Sequence, residues 1–159
     1  MTEILYKQFL RFLETADENG ELLIERLVRR YGPFKIRRII VNGVDTIEVD
    51  KKVLPQDPRL PLIIFKSVIE FLYKGKDHKR KRGTAIKRGI RLCDEGLTID
   101  TVEGFVAHTF YNKKCGDSVY KRISAIANIL ITSGVCRHEP GHLVLNLENL
   151  FKNHMKSNI

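Results

Sequence analysis

Half of the residues between 74 and 91 are lysine or arginine, a density of like charge that a hydrophobic core does not accept. The segment, KGKDHKRKRGTAIKRGIR, contains nine basic residues and one acidic residue, Asp77. Its net charge is 9 − 1 = +8, against +9 for all 159 residues. Charge concentrated in this way attracts polyanions through electrostatic steering and counterion release. The alternative is a solvated connector whose charge serves only solubility.

The composition of the chain indicates which broad class of protein it belongs to. A chain of 159 residues with 43% hydrophobic content can bury one core or two small ones. No apolar stretch approaches the roughly 18 to 20 residues of a membrane span, and the N-terminus lacks the layout of a signal peptide. The three cysteines are an odd number and lie far apart, which favours unpaired thiols in a reducing compartment. We therefore predict a cytoplasmic protein that needs no cofactor and no metal.

The N-terminal third predicts two helices and a hairpin. Apolar residues recur at helical spacing over residues 4–13 and again over residues 22–31, where Gly32-Pro33 ends the pattern. Residues 34–50 change to an alternating pattern around Asn42-Gly43, the strongest short-range hairpin signal. A two-residue turn there predicts the cross-strand pairs Val41–Val44, Arg37–Glu48, Lys35–Asp50 and Ile36–Val49.

Three regions follow from these patterns. Residues 1–54 are predicted to be an assembly region, through which the protein forms a homodimer or joins a larger nucleoprotein assembly. Residues 55–83 combine a proline-rich linker (55–61), an apolar helix (62–73) and the basic arm. Residues 84–159 are the third region, which is predicted to contain a C-terminal helix.

The order of predicted elements in the C-terminal half is distinctive. Helices are predicted over residues 84–96, 98–111 and 118–134, followed by two β segments joined at Pro140-Gly141. A polar turn enters SVYKRI, and the third helix ends in the pattern L-x-x-S-G-V. Residues 84–147 thus resemble the winged helix-turn-helix superfamily. The resemblance implies an α+β, mainly α protein whose C-terminal half has three helices and a two-stranded wing.

The resemblance also implies that residues 84–159 are a DNA-binding domain with a defined contact surface. At 100° per residue, Ser118, Lys121 and Asn128 share a small polar face of the third helix with Ala125 and Thr132, as expected of a helix in the major groove. Arg122 lies on the flank, where it would contact phosphate. The remaining predicted contacts lie in the arm, the turn and the wing: Lys79, Arg80, Lys81, Arg82, Lys87, Arg88, Lys113, Lys114, Arg137 and His138.

The leading functional prediction is a winged-helix transcriptional regulator that binds duplex DNA through the 118–132 helix, the wing and the 74–91 segment. One alternative is an accessory subunit of a replication or repair assembly that binds DNA or protein, with single-stranded nucleic acid as another ligand. A second is a small metal-dependent nuclease that uses Asp45, Glu48, Asp50 and Lys52. A zinc site built from Cys115, Cys136, His138 and His142 lacks the usual paired spacing.

Overall fold

The structure is a computed structural model that describes residues 1–84 and 89–148, with Arg29 described by its backbone alone. The helices are α1 (Thr2–Leu13), α2 (Leu62–Lys74), α3 (Val102–Phe110) and α4 (Ile123–Thr132), with 3₁₀ turns at Arg29–Tyr31 and Lys76–His78. The strands are β1 (Glu21–Ile24), β2 (Phe34–Val41), β3 (Val44–Val49), β4 (Arg59–Pro61), β5 (Lys79–Lys81), β6 (Cys136–Glu139) and β7 (His142–Leu145). They form two antiparallel sheets, ordered β1-β2-β3-β4 and β5-β7-β6.

The predicted first helix is confirmed as α1. Leu5, Phe9 and Leu13 recur every fourth residue on one face, and all three are buried. The ring of Phe9 stacks on that of Phe65 in α2, with centroids 5.0 Å apart. Hydrophobic burial of this stripe therefore fixes α1 against α2.

The predicted hairpin is confirmed, and so is most of its register. Asn42 and Gly43 have φ of 49° and 78°, the positive values that a tight hairpin turn requires. Val41 lies opposite Val44, Ile36 opposite Val49, and Arg37 opposite Glu48. The backbone N–H of Asp50 donates to the Lys35 carbonyl at 3.2 Å, so the predicted position of this pair is confirmed, but the Lys35 side chain has another partner. Its ammonium lies 3.1 Å from Glu21, because β1 adds to the sheet beside β2.

The predicted second helix, over residues 22–31, is wrong. Its first part is β1, in which Leu22 and Ile24 are buried while Leu23 between them is exposed. This alternation of period two is a strand pattern, and β1 pairs along the edge of β2. Pairing with the sheet edge gives the segment both backbone hydrogen bonds and burial of one face. These contributions together exceed its weak intrinsic preference for a helix.

The apolar helix predicted over residues 62–73 is confirmed as α2. It packs against α1, α3 and strands of both sheets. Residues 59–61, within the segment predicted as a linker, form β4 and pair with β3. A single cluster of buried side chains runs from Leu5 in α1 to Leu145 in β7. Helix α2 is therefore the central element of the core.

The predicted three-helix winged module is wrong. In its first predicted helix, residues 85–88 lie outside the described residues, and residues 89–97 form turns and an isolated bridge. Gly89, Cys93 and Gly96 have φ of 84°, 75° and 88°, values that an α-helix cannot contain. Helix α4 begins at Ile123 rather than at residue 118, and the predicted two-stranded wing gains β5 as a third strand.

The cysteines also differ from the sequence expectation of unpaired thiols. Cys93 and Cys115 form a disulfide, which joins the turn after residue 89 to the loop after α3. Cys136 is free and buried. Within residues 1–84 and 89–148, no helix has the length and apolar character needed to cross a membrane.

Candidate nucleic-acid interface

Strand β5 divides the central part of the basic run between two faces of its sheet. Residues directly opposite each other in antiparallel strands point to the same side. Arg80 lies opposite Leu143, which is fully buried, so its side chain starts on the core side. Lys79 and Lys81 alternate with it and lie on the outer side. The sequence, KRKR, gives no sign of this division, because all four residues are basic.

The inward arginines hold the sheet in place. The Nε atom of Arg80 donates to the Phe71 carbonyl of α2 at 3.1 Å, and its guanidinium lies 4.1 Å from the centroid of the Phe71 ring. Arg82 donates from Nε to the His142 carbonyl at 3.0 Å and lies 3.1 Å from Nδ1 of His138. Burial lowers the pKa of Arg82. Three predicted DNA contacts, Arg80, Arg82 and His138, therefore have structural partners.

The outer side of the sheet forms a surface that we call the basic sheet face, made of Lys76, Lys79, Lys81, Arg137 and His142. Standard strand geometry puts the Cα atoms of Lys79 and Lys81 about 6.7 Å apart, and those of Lys79 and Arg137 about 9.6 Å apart across β7. A shallow open recess of about 410 Å³ is lined by Lys76, Lys79, Lys81 and His142, together with Asp77 and Arg80. Cationic side chains thus cover an area comparable with a few phosphates of a nucleic-acid backbone.

Two carboxylates lie at this face, because Asp77 lines the recess beside Lys76 and Glu139 lies opposite His142 on β6. Glu139 accepts a hydrogen bond from Lys79 at 2.7 Å, and this contact lowers the pKa of Glu139. Across residues 1–84 and 89–148, no carboxylate lies within 4.0 Å of the basic groups of Lys76, Lys81 or Arg137. These three charges therefore remain available to an external anion.

The helical face predicted to read bases is covered by another part of the chain. The Asn128 side-chain oxygen accepts from the Leu27 backbone N–H at 3.2 Å, and the Thr132 hydroxyl accepts from that of Glu25 at 3.2 Å. Ala125, on the same predicted face, is 1% exposed. Ser118 and Lys121 are exposed but precede the helix. Helix α4 therefore does not present the predicted face.

Arg122, predicted on the helix flank, is almost completely buried. Its guanidinium lies 2.9 Å from Asp57, and its Cζ atom lies 3.5 Å from the centroid of the Tyr111 ring and 4.8 Å from that of Tyr120. Burial raises the pKa of Tyr111, and the nearby guanidinium opposes this effect. Arg122 therefore joins the 55–58 loop to the segment that enters α4.

Glu103 follows Asp100 by three residues, a spacing that predicts a local capping box, but α3 is capped by Thr101 and Glu103 is 4% exposed. Its carboxylate accepts from the backbone N–H groups of Arg122 at 2.9 Å and Ile123 at 2.6 Å, and so caps the N-terminus of α4. Burial raises its pKa to about 7, although these donors act in the opposite direction. A glutamate spaced for a local capping box gives no sign that it caps a distant helix.

The other predicted contacts are dispersed. Lys113 and Ser118 line an open recess of about 650 Å³ with Tyr120 and Arg122. Lys114 is exposed, and its backbone N–H donates to Asp117 at 2.7 Å. Lys87 and Arg88 lie outside the described residues. The structure therefore places Lys79, Lys81 and Arg137 on one surface and Lys113 and Ser118 on another.

The alternative catalytic and metal sites have other partners. Asp45 pairs with Arg38 at 2.6 Å, and Glu48 pairs with Arg37 at 3.0 Å. Asp50 accepts from the Lys52 backbone N–H at 2.9 Å. Of the zinc candidates, Cys115 is in the disulfide, and burial raises the pKa of Cys136. The described part of the chain contains no group of three or more side chains that could hold a metal ion.

Comparison of the chain with family models, curated proteins and solved structures finds no match. The charge, geometry and exposure of the surfaces described above are therefore the features that indicate a function.

Proposed function

We propose that this protein binds nucleic acid, with duplex DNA as the first ligand, through phosphate contacts on the basic sheet face. The observation that carries the proposal is the outward row of Lys79, Lys81 and Arg137 on one antiparallel sheet, with Glu139 and Asp77 as its acidic neighbours. The charge distribution of the chain supports it, since residues 74–91 carry +8 of the total +9. Such a surface attracts a polyanion and gains affinity by counterion release.

The same geometry favours binding without sequence reading. Base recognition needs side chains that reach base edges in a groove, whereas phosphate contacts carry no sequence information. Asn128, the predicted adenine contact, hydrogen-bonds the backbone of the chain itself. We therefore favour a sequence-independent accessory subunit of a DNA assembly over a sequence-reading regulator.

The expected salt dependence of binding follows from the number of basic side chains on this face that have no carboxylate partner. Each phosphate that is neutralised adds about 0.9 to the slope of log affinity against log salt. A fourfold rise in salt, from about 50 to about 200 mM, then costs about 3.5-fold in affinity per contact. Lys76, Lys81 and Arg137 together account for a slope of about 2.7 and a loss of about 40-fold.

Fluorescence anisotropy with a labelled duplex tests the proposal. The variant Lys76→Ala/Lys81→Ala/Arg137→Ala is expected to bind more weakly, with a slope lower by about 2.7. Duplexes of scrambled sequence are expected to bind the native protein within about twofold of each other, because phosphate contacts do not read bases.

The matched control is Lys7→Ala/Lys51→Ala/Lys52→Ala, which removes the same charge from exposed positions in the N-terminal half. It is expected to retain the native slope. Equal slopes in the two triple variants would locate the binding elsewhere, and the native protein's failure to bind at about 50 mM salt would refute the proposal.

A further inference from the structure

The loop between β1 and β2, residues 25–33, is held against α4 by side chains of that helix. Asn128 and Thr132 accept the backbone N–H groups of Leu27 and Glu25, each at 3.2 Å. Two such contacts, 101 and 107 residues apart in sequence, fix the first part of the loop in one position on the helix.

The loop presents an aromatic ring among arginines. Tyr31 is 59% exposed. The Cζ atoms of Arg30 and Arg26 lie 4.9 and 5.7 Å from the centroid of its ring, and Arg30 donates to its hydroxyl at 2.9 Å. The sequence of residues 25–31, ERLVRRY, has a net charge of 3 − 1 = +2. Leu27 and Val28, also exposed, give the surroundings of the ring an apolar character.

This combination matches the chemistry of an unpaired nucleic-acid base. Proteins that bind single strands combine positive charge with exposed aromatic rings on which bases stack, and arginine adds a cation–π contribution. Bases within a duplex are stacked on each other and do not offer a free face to a surface ring. Contacts to the phosphate backbone alone would require basic side chains but no exposed aromatic ring.

We propose that Tyr31 stacks on an unpaired base of the nucleic acid that the basic sheet face holds by its phosphates. This inference rests on the proposed function and adds a ligand class to it, namely a single strand or a single-stranded segment that adjoins a duplex. Arg26 and Arg30 supply charge next to the stacked base. Asn128, predicted to read adenine, and Thr132, on the same helical face, instead position the loop that contacts them.

Sequence separation sets an upper limit on the distance that a ligand shared by the two surfaces must span. Arg137, on the basic sheet face, follows Thr132 by five residues, so their Cα atoms lie within about 18 Å. Thr132 in turn lies in hydrogen-bond contact with the loop. Tyr31 follows Glu25 by six residues, so its Cα atom lies within about 22 Å of that of Glu25. The shared ligand is therefore an oligonucleotide long enough to span the sum of these distances.

The test compares one oligonucleotide in two forms, as a free single strand and annealed to its complement. Tyr31→Leu removes the aromatic face but keeps an apolar side chain, whereas Tyr31→Phe keeps the face and removes the hydroxyl. Stacking is worth about 1 to 3 kcal/mol per base, so Tyr31→Leu is expected to weaken single-strand binding about fivefold or more. Tyr31→Phe is expected to bind within about twofold of the native protein, and neither change should alter duplex affinity by more than about twofold.

Each contrary result has a distinct meaning. Native single-strand affinity in Tyr31→Leu, with duplex binding present, overturns this inference and leaves the proposed function standing. An equal loss for the two ligand forms, or an equal loss in Tyr31→Leu and Tyr31→Phe, also overturns it, since neither pattern is that of base stacking. If the native protein binds neither ligand form, the proposed function fails as well. Circular dichroism of each variant checks that the fold is intact.

Discussion

Replacing Glu103 by glutamine tests whether burial or hydrogen bonding controls the carboxyl group at the N-terminus of α4. Glu103 is 4% exposed and accepts the backbone N–H groups of Arg122 and Ile123. Burial disfavours the charged carboxylate, whereas the two donors and the Arg122 guanidinium favour it. Burial prevails, and the pKa of Glu103 is raised from 4.5 to about 7.

The direction of the pH dependence follows from this pKa. The native carboxyl holds its proton more tightly than the unfolded one, so folding takes up a proton between pH 4.5 and about 7. The contribution to stability is fully present below pH 4.5 and is lost as the pH rises to about 7. The interval is about 2.5 pH units, and each unit is worth about 1.36 kcal/mol. The free energy of unfolding of the native protein should therefore fall by about 3 kcal/mol relative to that of Glu103→Gln.

Urea unfolding followed by circular dichroism between about pH 4.5 and about pH 8 gives this difference directly. Asp45 and Glu139 have pKa values lowered by their ion pairs, so their contributions fall at lower pH and cancel between the two proteins. Glu18→Gln, a change at an exposed position, serves as the control and should leave the curve parallel to the native one. A native protein that gains stability over Glu103→Gln as the pH rises would show that the donors outweigh burial, and the reasoning would be refuted.

Two further changes test the fold around the candidate interface. Cys93→Ser/Cys115→Ser opens a loop with a sequence separation of 22, and should lower the free energy of unfolding by roughly 3 kcal/mol. A reductant should lower the stability of the native protein by the same amount and leave the variant unchanged. Gly104→Ala should destabilise by about 2 kcal/mol, although alanine favours helices, because the added Cβ would collide with the Thr98 carbonyl. Ser124→Ala, at an exposed position in α4, is the control, and a Gly104→Ala protein as stable as this control would contradict the predicted collision.

The sequence predicts those elements whose signals are local. Leu5, Phe9 and Leu13 define a helical stripe by their spacing, and Asn42-Gly43 defines a hairpin by the backbone angles that it permits. The apolar helix α2 follows in the same way from its composition. In each case, the neighbours in sequence are also the neighbours in structure.

The errors occur where a distant segment decides the outcome. Residues 22–31 have a helical spacing, but Leu22 and Ile24 gain more by pairing with the edge of β2. The segment after residue 118 reads as a continuous helix, yet α4 begins only at Ile123, where Glu103 supplies the cap. Neither partner can be identified from the segment itself.

The candidate interface also has properties that the sequence sets and properties that contacts between distant segments set. The sequence alone determined that a positive charge of +8 lies between residues 74 and 91 and that it suits a polyanion. Only the tertiary structure decided that Lys79 and Lys81 face outward while Arg80 and Arg82 hold the sheet, because strand pairing with β7 sets the alternation. In the tertiary structure, the loop that exposes Tyr31 also covers the polar face of α4. The residues in this contact are more than 100 positions apart in the chain. Net charge is a property of composition, whereas the direction of each charge depends on which strand lies beside it.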